Sequence, residues 1–378
     1  MTPFGKQMGR GVRSLALAAI EEAVADSGLP MDRIERVYFG NAIAGIVSQQ
    51  EMIRGQVALR HHPLGHLPLI NVENACASGG SAFAMACEAV ASGCVDFALA
   101  VGAEQMNHVD KSRPFNALRG STDIGEIGEV EPGTMSANSL LMDFYAGVAQ
   151  AYLDDHGALA EDFARVAVKN RMHASHNPLA QLRKQQTIEE VMAGRMIVSP
   201  LTLAMCSPTT DGAAAILVCS EKVATTIARP KIMIRACQIA SGAAGRPVGD
   251  ATAKAYAVAS VGPQDFDVIE LHDAAAPAEL MQYHEIGLCA EGDGFKLIRD
   301  GSTALGGRVP VNTSGGLLSR GHPLGATGCA QIVELVMQLR GEAGTRQVEG
   351  ARMAMSVNGG GWLDGAYALA VATILERA

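Results

Sequence analysis

The amino-acid sequence predicts an α/β protein whose second half resembles its first half in layout. Short apolar runs typical of strands alternate with longer stretches of helical spacing, and this alternation favours sheets that are at least partly parallel. The order of strand and helix seen in the first part of the chain recurs near its end. The 378 residues are enough for two or three domains of ordinary size.

The first half begins with a helix, and strands and helices then follow in turn. Apolar side chains recur at helical spacing up to Gly28, and a later segment rich in Ala and Gly has the same spacing. The predicted elements are a helix at 12–27, a strand at 35–40, an extended segment at 69–73, a helix at 77–92 and a buried strand at 95–102.

Residues 105–200 differ from the rest of the chain. They are richer in polar residues, Met and His, and their strand signals are weaker, which indicates a helical insertion or loop domain. Strand patterns return at 211–219 and 232–240. We therefore expect an N-terminal half formed by residues 1–104 and 201–230, a loop domain of residues 105–200, and a C-terminal half of residues 231–378.

Three segments of the second half match segments of the first in character. Residues 266–274 resemble 36–44, residues 325–341 resemble 77–93, and residues 351–360 resemble 96–104. Two similar halves related by a pseudo-twofold axis bring corresponding strand ends together. The sequence therefore predicts one site built from both halves.

Charge and composition argue against several classes of function. The formal net charge is −9 and no block of Lys and Arg stands out, so we expect no nucleic-acid partner. No apolar run reaches the length of a membrane span. The eight cysteines form no CxxC pair, which favours reduced thiols in a cytoplasmic protein over a disulfide framework.

Cys76 is the candidate nucleophile. It lies in NVENACASGGSAF (71–83), between a predicted strand and the start of a helix, where unpaired N–H groups and the helix dipole favour a thiolate. Position alone leaves open a small buried cysteine. His322, in NTSGGLLSRGHPLGATG (312–328), is placed to take a thiol proton, or it merely caps the next helix.

Two further segments supply candidate binding groups. His272, in VIELHDAAAPAEL (268–280), ends an apolar strand and points into the usual ligand crevice of an α/β fold, unless it is a satisfied core histidine. In SVNGGGWLDG (356–365), Asn358 and the glycines around Gly360 either provide donors for an oxyanion hole or form a plain turn.

The remaining histidine groupings do not predict a metal site. HHPLGH (61–66) and HASH (173–176) have no full ligand set beside them, and loop or surface positions account for them. The sequence also contains no HExxH motif, P-loop or paired CxxC motif.

The four segments around Cys76, His272, His322 and Gly360, in this order, resemble the thiolase superfamily over nearly the whole chain. The HDA segment at 272–274 is similar to the sterol-carrier-protein, or lipid-transfer, branch. The resemblance implies a thiolase fold, in which two pseudo-repeated halves form a five-layer αβαβα core with an inserted loop domain. It also implies a homodimer or homotetramer that acts in lipid metabolism such as fatty acid degradation.

The resemblance implies a mechanism as well. His322 activates Cys76, which attacks a 3-ketoacyl-CoA and keeps the acyl group until CoA removes it. His322 and His272 form one oxyanion hole, and the N–H groups of Cys76 and a glycine near Gly360 form the other, with Asn358 beside it. Acyl-CoA and CoA are then the substrates, and no cofactor is bound permanently.

The sequence departs from the family in two places. The family's second catalytic cysteine is replaced by Ala274 and by Val357 and Asn358, which puts ordinary carbon–carbon cleavage in question. Alternatives are a thiolase-like aldolase acting on an acyl-CoA side chain, or a weakened subunit that scaffolds a small zinc-ribbon/OB-fold partner. The usual first strand is also not seen before Met1, which leaves open whether it is missing or the sequence was started too late.

Overall fold

A computed structural model describes residues 1–127, 139–242 and 245–378 of the chain. Two four-stranded sheets form its centre, with helices between them and on their outer faces. The chain therefore has five layers, αβαβα, and an inserted set of helices covers one end.

The first sheet has the strand order β2-β1-β3-β6. Strand β1 is parallel to β2 and β3, and β6 is antiparallel to β3. Every residue of β3 is buried, because helices cover both faces of the sheet. The strands are β1 Arg36–Gly40, β2 Leu69–Val72, β3 Phe97–Glu104 and β6 Gly212–Cys219.

The second sheet has the order β7-β10-β9-β8 and repeats the core of the first. Strand β8 is parallel to β9, and β10 is antiparallel to β9, as β1, β3 and β6 are arranged in the first sheet. Val311 pairs with Ile269 at the position that β2 occupies in the first half. The strands are β7 Ile232–Ser241, β8 Val268–Glu270, β9 Met353–Gly360 and β10 Leu369–Arg377.

Helix α4, Ser78–Ala91, and helix α15, Thr327–Arg340, form the central layer. They cross where each carries a glycine: a Cβ atom added to Gly328 would lie 2.3 Å from the backbone nitrogen of Gly80. Only glycine permits this close approach. The crossing brings together the first turns of the two helices, which are the segments that contain the candidate residues.

The outer helices and the connecting helices complete the two halves. On the first half, α1 covers β3 and β6, and on the second half α11 covers β7 and β10. These helices and their neighbours are α1 Val12–Ser27, α2 Ala44–Ser48, α3 Arg54–Leu59, α10 Glu221–Ala224, α11 Pro247–Ala259, α12 Ala276–Glu285, α13 Gly294–Arg299 and α14 Gly316–Ser319.

The segment between β3 and β6 is mainly helical where the structure describes it. Its helices are α5 Ser112–Arg119, α6 Ile124–Ile127, α7 Leu140–His156, α8 Ala160–Ser175 and α9 Ile188–Met192. It also contains a small hairpin that the sequence did not predict, formed by β4 Met196–Val198 and β5 Leu201–Thr202. The part of the expected loop domain at 128–138 lies outside the described residues.

Candidate active site

Cys76 lies on a tight turn between β2 and α4. The preceding residue, Ala75, has a φ of 47°, a left-handed conformation that costs a residue with a side chain free energy. The Ser78 hydroxyl fixes the turn, because it accepts the Asn74 N–H at 2.9 Å and donates to the Ala75 carbonyl at 2.6 Å. The thiol is thereby presented at the start of α4 in a largely buried position, with 7% of the residue exposed.

The structure brings Cys76, His272 and His322 together. The Cys76 Sγ and one ring nitrogen of each histidine lie within 4.8 Å of one another, and all three residues are buried. The two imidazole rings are 5.1 Å apart between centroids and nearly perpendicular, at 84°. Within the described ranges, this is the only group of three or more His, Cys, Asp or Glu side chains that lie close enough together to hold a metal ion.

His322 is arranged as a proton acceptor. Its Nδ1 lies 2.7 Å from the Thr327 hydroxyl, and that hydroxyl donates its single proton to the Pro323 carbonyl at 3.0 Å. With that proton on the Pro323 carbonyl, Nδ1 donates to Thr327, and the lone pair of the neutral ring lies on Nε2. Nε2 is buried without a hydrogen-bond partner among the described residues. Burial, followed by the charges of His272 and Arg320, lowers the pKa of His322 well below its usual value, so the ring is neutral.

His272 is held by its backbone. Its N–H donates to the Gln282 side chain at 3.1 Å, and its carbonyl accepts from the same amide group at 2.8 Å. The Tyr367 hydroxyl donates to that carbonyl as well, at 3.2 Å. Burial, with a smaller effect from Arg320, lowers the pKa of His272 to about 3, so this ring is also neutral near pH 7.

The thiol of Cys76 is protonated in the resting protein. Burial, followed by the negative charge of Glu104, raises its pKa to about 12. Two backbone N–H groups, those of Cys76 itself and of Gly361, oppose this by hydrogen-bonding the thiolate. The sulfur therefore needs a base to become a nucleophile, and a ring nitrogen of His322 lies within 4.8 Å of it.

The glycine turn after β9 packs against the turn that carries Cys76. A Cβ on Gly360 would lie 2.4 Å from the Asn74 carbonyl oxygen, and Gly361 has a φ of 65°. Gly361 supplies the N–H that reaches the sulfur. The Nδ2 group of Asn358 is directed at protein atoms, the Cys76 carbonyl oxygen and His272 Nδ1, each at 3.2 Å. The structure therefore does not support Asn358 as an oxyanion donor.

A small cavity of about 50 Å³ reaches Cys76. Its walls include Ile43, Leu118 and Leu324, with the Glu73 side chain also lining it. Helix α5 of the insertion thus forms part of the wall opposite α4. Sequence reasoning missed Leu118, because nothing in a helix of the insertion indicates which face meets a site in another part of the fold.

The other histidine groupings have structural roles. His62 Nδ1 accepts the Leu64 N–H and caps a short 3-10 turn. His173 is fully buried, with Nδ1 3.0 Å from the Asn312 carbonyl oxygen, and its Nε2 accepts the Leu305 N–H. Both ring nitrogens of His173 are therefore engaged by backbone groups of the protein.

Two families of known proteins match most of the chain. The family described as "Thiolase, N-terminal domain" matches residues 1–222, and the family "Thiolase C-terminal domain-like" matches residues 237–377. The chain belongs to the thiolase superfamily. The predicted thiolase family is thereby confirmed, and the relatives and solved structures described next confirm the sterol-carrier-protein-like branch and the thiolase fold.

Two relatives of this thiolase match over at least 90% of their length, and a third over 68%. It is 37% identical to an acetyl-CoA acetyltransferase of Methanothermobacter thermautotrophicus, over 95% of this chain and 94% of the relative. It is 38% identical to the benzoylsuccinyl-CoA thiolase subunit BbsB of Thauera aromatica, over 92% and 90%. Human sterol carrier protein 2 is 34% identical over 95% of this chain and 68% of that protein. The chain is therefore a thiolase-type acyltransferase.

Solved structures show the same fold. The Ltp2-ChsH2(DUF35) aldolase superposes with a TM-score of 0.79 at 26% identity, over 100% of this thiolase and 95% of that chain. Human mitochondrial 3-ketoacyl-CoA thiolase superposes with a TM-score of 0.71 at 18% identity, over 100% and 96%, and shows the shared fold. In the described part of the chain, every helix is too short or too polar to cross a membrane.

Proposed function

We propose that this thiolase cleaves or forms 3-ketoacyl-CoA through an acyl intermediate on Cys76. The observation that supports the proposal is the buried cluster of Cys76, His272 and His322, in which the lone pair of His322 Nε2 has no partner. Such a cluster offers a nucleophile, its base and a second polar ring in one place. Coenzyme A is then the second substrate, and no cofactor is bound permanently.

In the cleavage direction, His322 Nε2 takes the proton of Cys76, and the thiolate attacks the keto carbon of the substrate. The bond between the keto carbon and the α-carbon breaks, its electron pair passes to the acyl-CoA as an enolate, and the acyl group stays on sulfur. The thiol of CoA then attacks this thioester, giving a second acyl-CoA and the free Cys76 thiol. The reverse sequence forms the 3-ketoacyl-CoA.

Two sets of donors stabilise the charges that develop. The enolate oxygen accepts hydrogen bonds from the His272 ring and from His322 after it has taken the proton. The tetrahedral oxyanion accepts from the backbone N–H groups of Cys76 and of the glycine turn at Gly360 and Gly361. Donors already held in position contribute most to such stabilisation because they need no reorganisation during the reaction.

The α-carbon must also be protonated, and this chain lacks the second cysteine that the family uses for that step. Ala274 occupies one of the two places and Val357 and Asn358 the other, and all three residues are buried. Cys206 pairs with Ala275 in an isolated bridge, but its Sγ faces the Thr202 carbonyl at 3.5 Å. We therefore propose that cleavage of simple 3-ketoacyl-CoA substrates is slow in this thiolase.

An aldolase acting on an acyl-CoA side chain is the second candidate. The similarity to the Ltp2-ChsH2(DUF35) aldolase and the replacement of the second cysteine favour it. An aldolase of this kind makes no acyl–enzyme bond, so the presence of Cys76 beside a free base argues for acyl transfer.

Partner proteins are a further part of the proposal. Strand β2 lies at the edge of its sheet, and exposed apolar side chains surround it, including Ile70 and Met52, which is 75% exposed. Such an edge favours association, and we propose a homodimer or homotetramer. BbsB is named as a subunit, and the aldolase structure contains a DUF35 protein, which together favour a small zinc-ribbon/OB-fold partner here too.

The eight free cysteines favour a reducing compartment such as the cytoplasm.

Intact-mass measurement after incubation with acetyl-CoA or acetoacetyl-CoA tests the function. Acyl transfer predicts an acetyl adduct on Cys76 that disappears when CoA is added. The Cys76→Ala variant should form no adduct and keep its fold, because alanine is close in size and leaves no buried polar group. A wild type that never acquires the adduct, while still processing a side-chain aldol substrate, supports the aldolase. A wild type inactive in both assays supports a scaffold.

A further inference from the structure

Asn358 connects the nucleophile to one of the two histidines. It lies near the end of β9, and its Nδ2 is 3.2 Å from the Cys76 carbonyl oxygen and 3.2 Å from His272 Nδ1. The residue is buried, with 3% exposed. One amide group therefore contacts both the turn that presents the thiol and the ring beside the thiol.

The Cys76 carbonyl determines which way the amide of Asn358 faces. A carbonyl oxygen only accepts hydrogen bonds, so the atom facing it must be the amide nitrogen. The same nitrogen faces His272 Nδ1, and its two hydrogens match these two acceptors. His272 Nδ1 then carries a lone pair, and the single proton of the neutral ring lies on Nε2.

The surrounding glycines leave room for the amide in this orientation. Asn358 Oδ1 has no hydrogen-bond partner in the described residues and packs where α4 crosses α15. A Cβ on Gly80 would lie 2.7 Å from Oδ1, and a Cβ on Gly328 would lie 2.3 Å from it. Rotation by 180° would place Oδ1 against the Cys76 carbonyl oxygen, where two acceptors repel. The orphaned oxygen is therefore the cost of directing both hydrogens toward the site.

We propose that Asn358 is a positioning residue that keeps His272 in the tautomer with its proton on Nε2. His322 has the opposite tautomer when the Thr327 hydroxyl donates to the Pro323 carbonyl, since its Nδ1 then carries the proton. Two neutral histidines thus take different parts: His272 donates a hydrogen bond, and His322 accepts the thiol proton. The tautomer follows from contacts alone, whereas its use toward a thioester oxygen rests on the proposed function.

Without this fixed tautomer, a neutral His272 would lose its donor. If its proton moved to Nδ1, Nε2 would present a lone pair to the developing enolate oxygen, and the interaction would become repulsive. Loss of a correctly placed proton donor costs about 10²-fold or more in rate. We therefore expect substitutions of Asn358 to lower kcat more than they raise KM for the CoA substrate.

Nitrogen NMR of protein labelled with ¹⁵N-histidine tests the tautomer directly. The His272 signals are assigned by their disappearance in His272→Gln. In the wild type at pH 7, Nε2 of His272 should show the protonated shift and Nδ1 the unprotonated shift, with the reverse for His322. The reverse pattern at His272, or a mixture of the two tautomers, would overturn the proposal without any variant.

Two variants test whether Asn358 is the cause. Asn358→Asp offers only acceptors, so His272 should move its proton to Nδ1, and kcat should fall about 10²-fold or more. Asn358→Ala should give a mixture of tautomers, and it covers the case in which the aspartate variant does not fold. Thr327→Val is the matched control, since it should disturb His322 and leave the His272 signals unchanged. An unchanged His272 tautomer in a folded Asn358 variant would overturn the proposal. Adduct formation on Cys76 tests the proposed function separately.

Discussion

Glu104 and Asn358 occupy equivalent positions in the two halves of the fold, and each side chain reaches into the other half. Each lies two residues beyond the last pair that its strand forms with the neighbouring parallel strand, β3 with β1 and β9 with β8. Asn358 donates to the carbonyl of Cys76 at 3.2 Å, whereas Glu104 accepts the N–H of Gly325 at 3.1 Å.

This exchange ties the two candidate catalytic segments to each other. Cys76 precedes the helix of the first half, and Gly325 follows His322 and precedes the helix of the second half. Each segment is thus fixed in part by a side chain of the opposite half, in addition to contacts within its own half. The repeat in the sequence has a direct chemical consequence, because the pseudo-twofold axis passes through the site.

We first predict how Cys76 reacts with alkylating reagents. Its pKa of about 12 means that the thiolate is scarce at neutral pH, so its alkylation by iodoacetamide should rise about tenfold for each pH unit from 7 to 10. Peptide mass spectrometry measures the rate at each cysteine. Cys94, which is exposed, reacts in the same sample and reports that the reagent is active. A plateau of the Cys76 rate below pH 9 would contradict the prediction.

A second prediction concerns the carboxylate of Glu104. Its side chain accepts from the backbone N–H groups of Ala42, Ile43 and Gly325, so Glu104→Gln places an amide donor against other donors. Stability should fall by about 1–3 kcal/mol in urea unfolding, the usual cost of an unmet buried group. Removing the negative charge should also lower the pKa of Cys76 and move its alkylation profile to lower pH.

The destabilisation by Glu104→Gln should depend on pH in a defined direction. Burial raises the pKa of Glu104 to about 7, above its usual 4.5. Between these values the folded wild type binds more protons than the unfolded chain, so the contribution of Glu104 to stability falls as pH rises. The difference between the two proteins should therefore be larger at pH 5 than at pH 8. The opposite trend would mean that Glu104 ionises more readily in the folded state.

A third prediction tests the close crossing of α4 and α15. Gly328→Ala places a Cβ 2.3 Å from Asn358 Oδ1, which should destabilise the protein by about 1–3 kcal/mol and disturb the amide beneath Cys76. Gly147→Ala in α7 is the matched control, because its added Cβ meets nothing within 4 Å. That substitution should stabilise the helix by up to about 1 kcal/mol. Equal urea midpoints for the two variants would show that the crossing can relax.

Much of the fold and the identity of the candidate catalytic residues could be predicted from the sequence. Strand and helix periods are local, so α1, β1 and β3 lie close to their predicted limits. Cys76, His272 and His322 lie at the ends of such elements, beside small residues. These positions allowed all three to be identified as candidates from the sequence. Strand β10 was not recognised, because its run of small apolar residues fits a helix or a strand equally well.

The contacts that tune the site were not predictable. Thr327 contacts Nδ1 of His322 from within a helix, and Asn358 meets Cys76 only because two glycines let α4 and α15 cross closely. Such contacts join residues far apart in the chain and depend on ångström distances between packed helices. A sequence pattern gives the period of a helix, but it does not give the distance at which two helices cross.

The last prediction concerns Ala274. The α-carbon must be protonated as the carbon–carbon bond breaks, and a general acid contributes about 10²–10⁴-fold to such a step. Ala274 is buried, with 6% exposed, two residues after His272, where a thiol would be close to the reacting atoms. The wild type should form its acyl–Cys76 adduct readily but turn over acetoacetyl-CoA well below a usual rate of about 10 s⁻¹.

Ala274→Cys should restore part of that rate. Steady-state cleavage of acetoacetyl-CoA by the wild type and the variant measures the gain, and Ala274→Ser serves as a control of similar size whose hydroxyl is a far weaker acid. The thiol variant should be faster than both, because only a thiol titrates near the pH of the reaction. If the wild type already turns over at about 10 s⁻¹ or more, a residue other than a second cysteine delivers the proton. In that case Ala274→Cys should leave the rate unchanged, since the step it assists would not be slow.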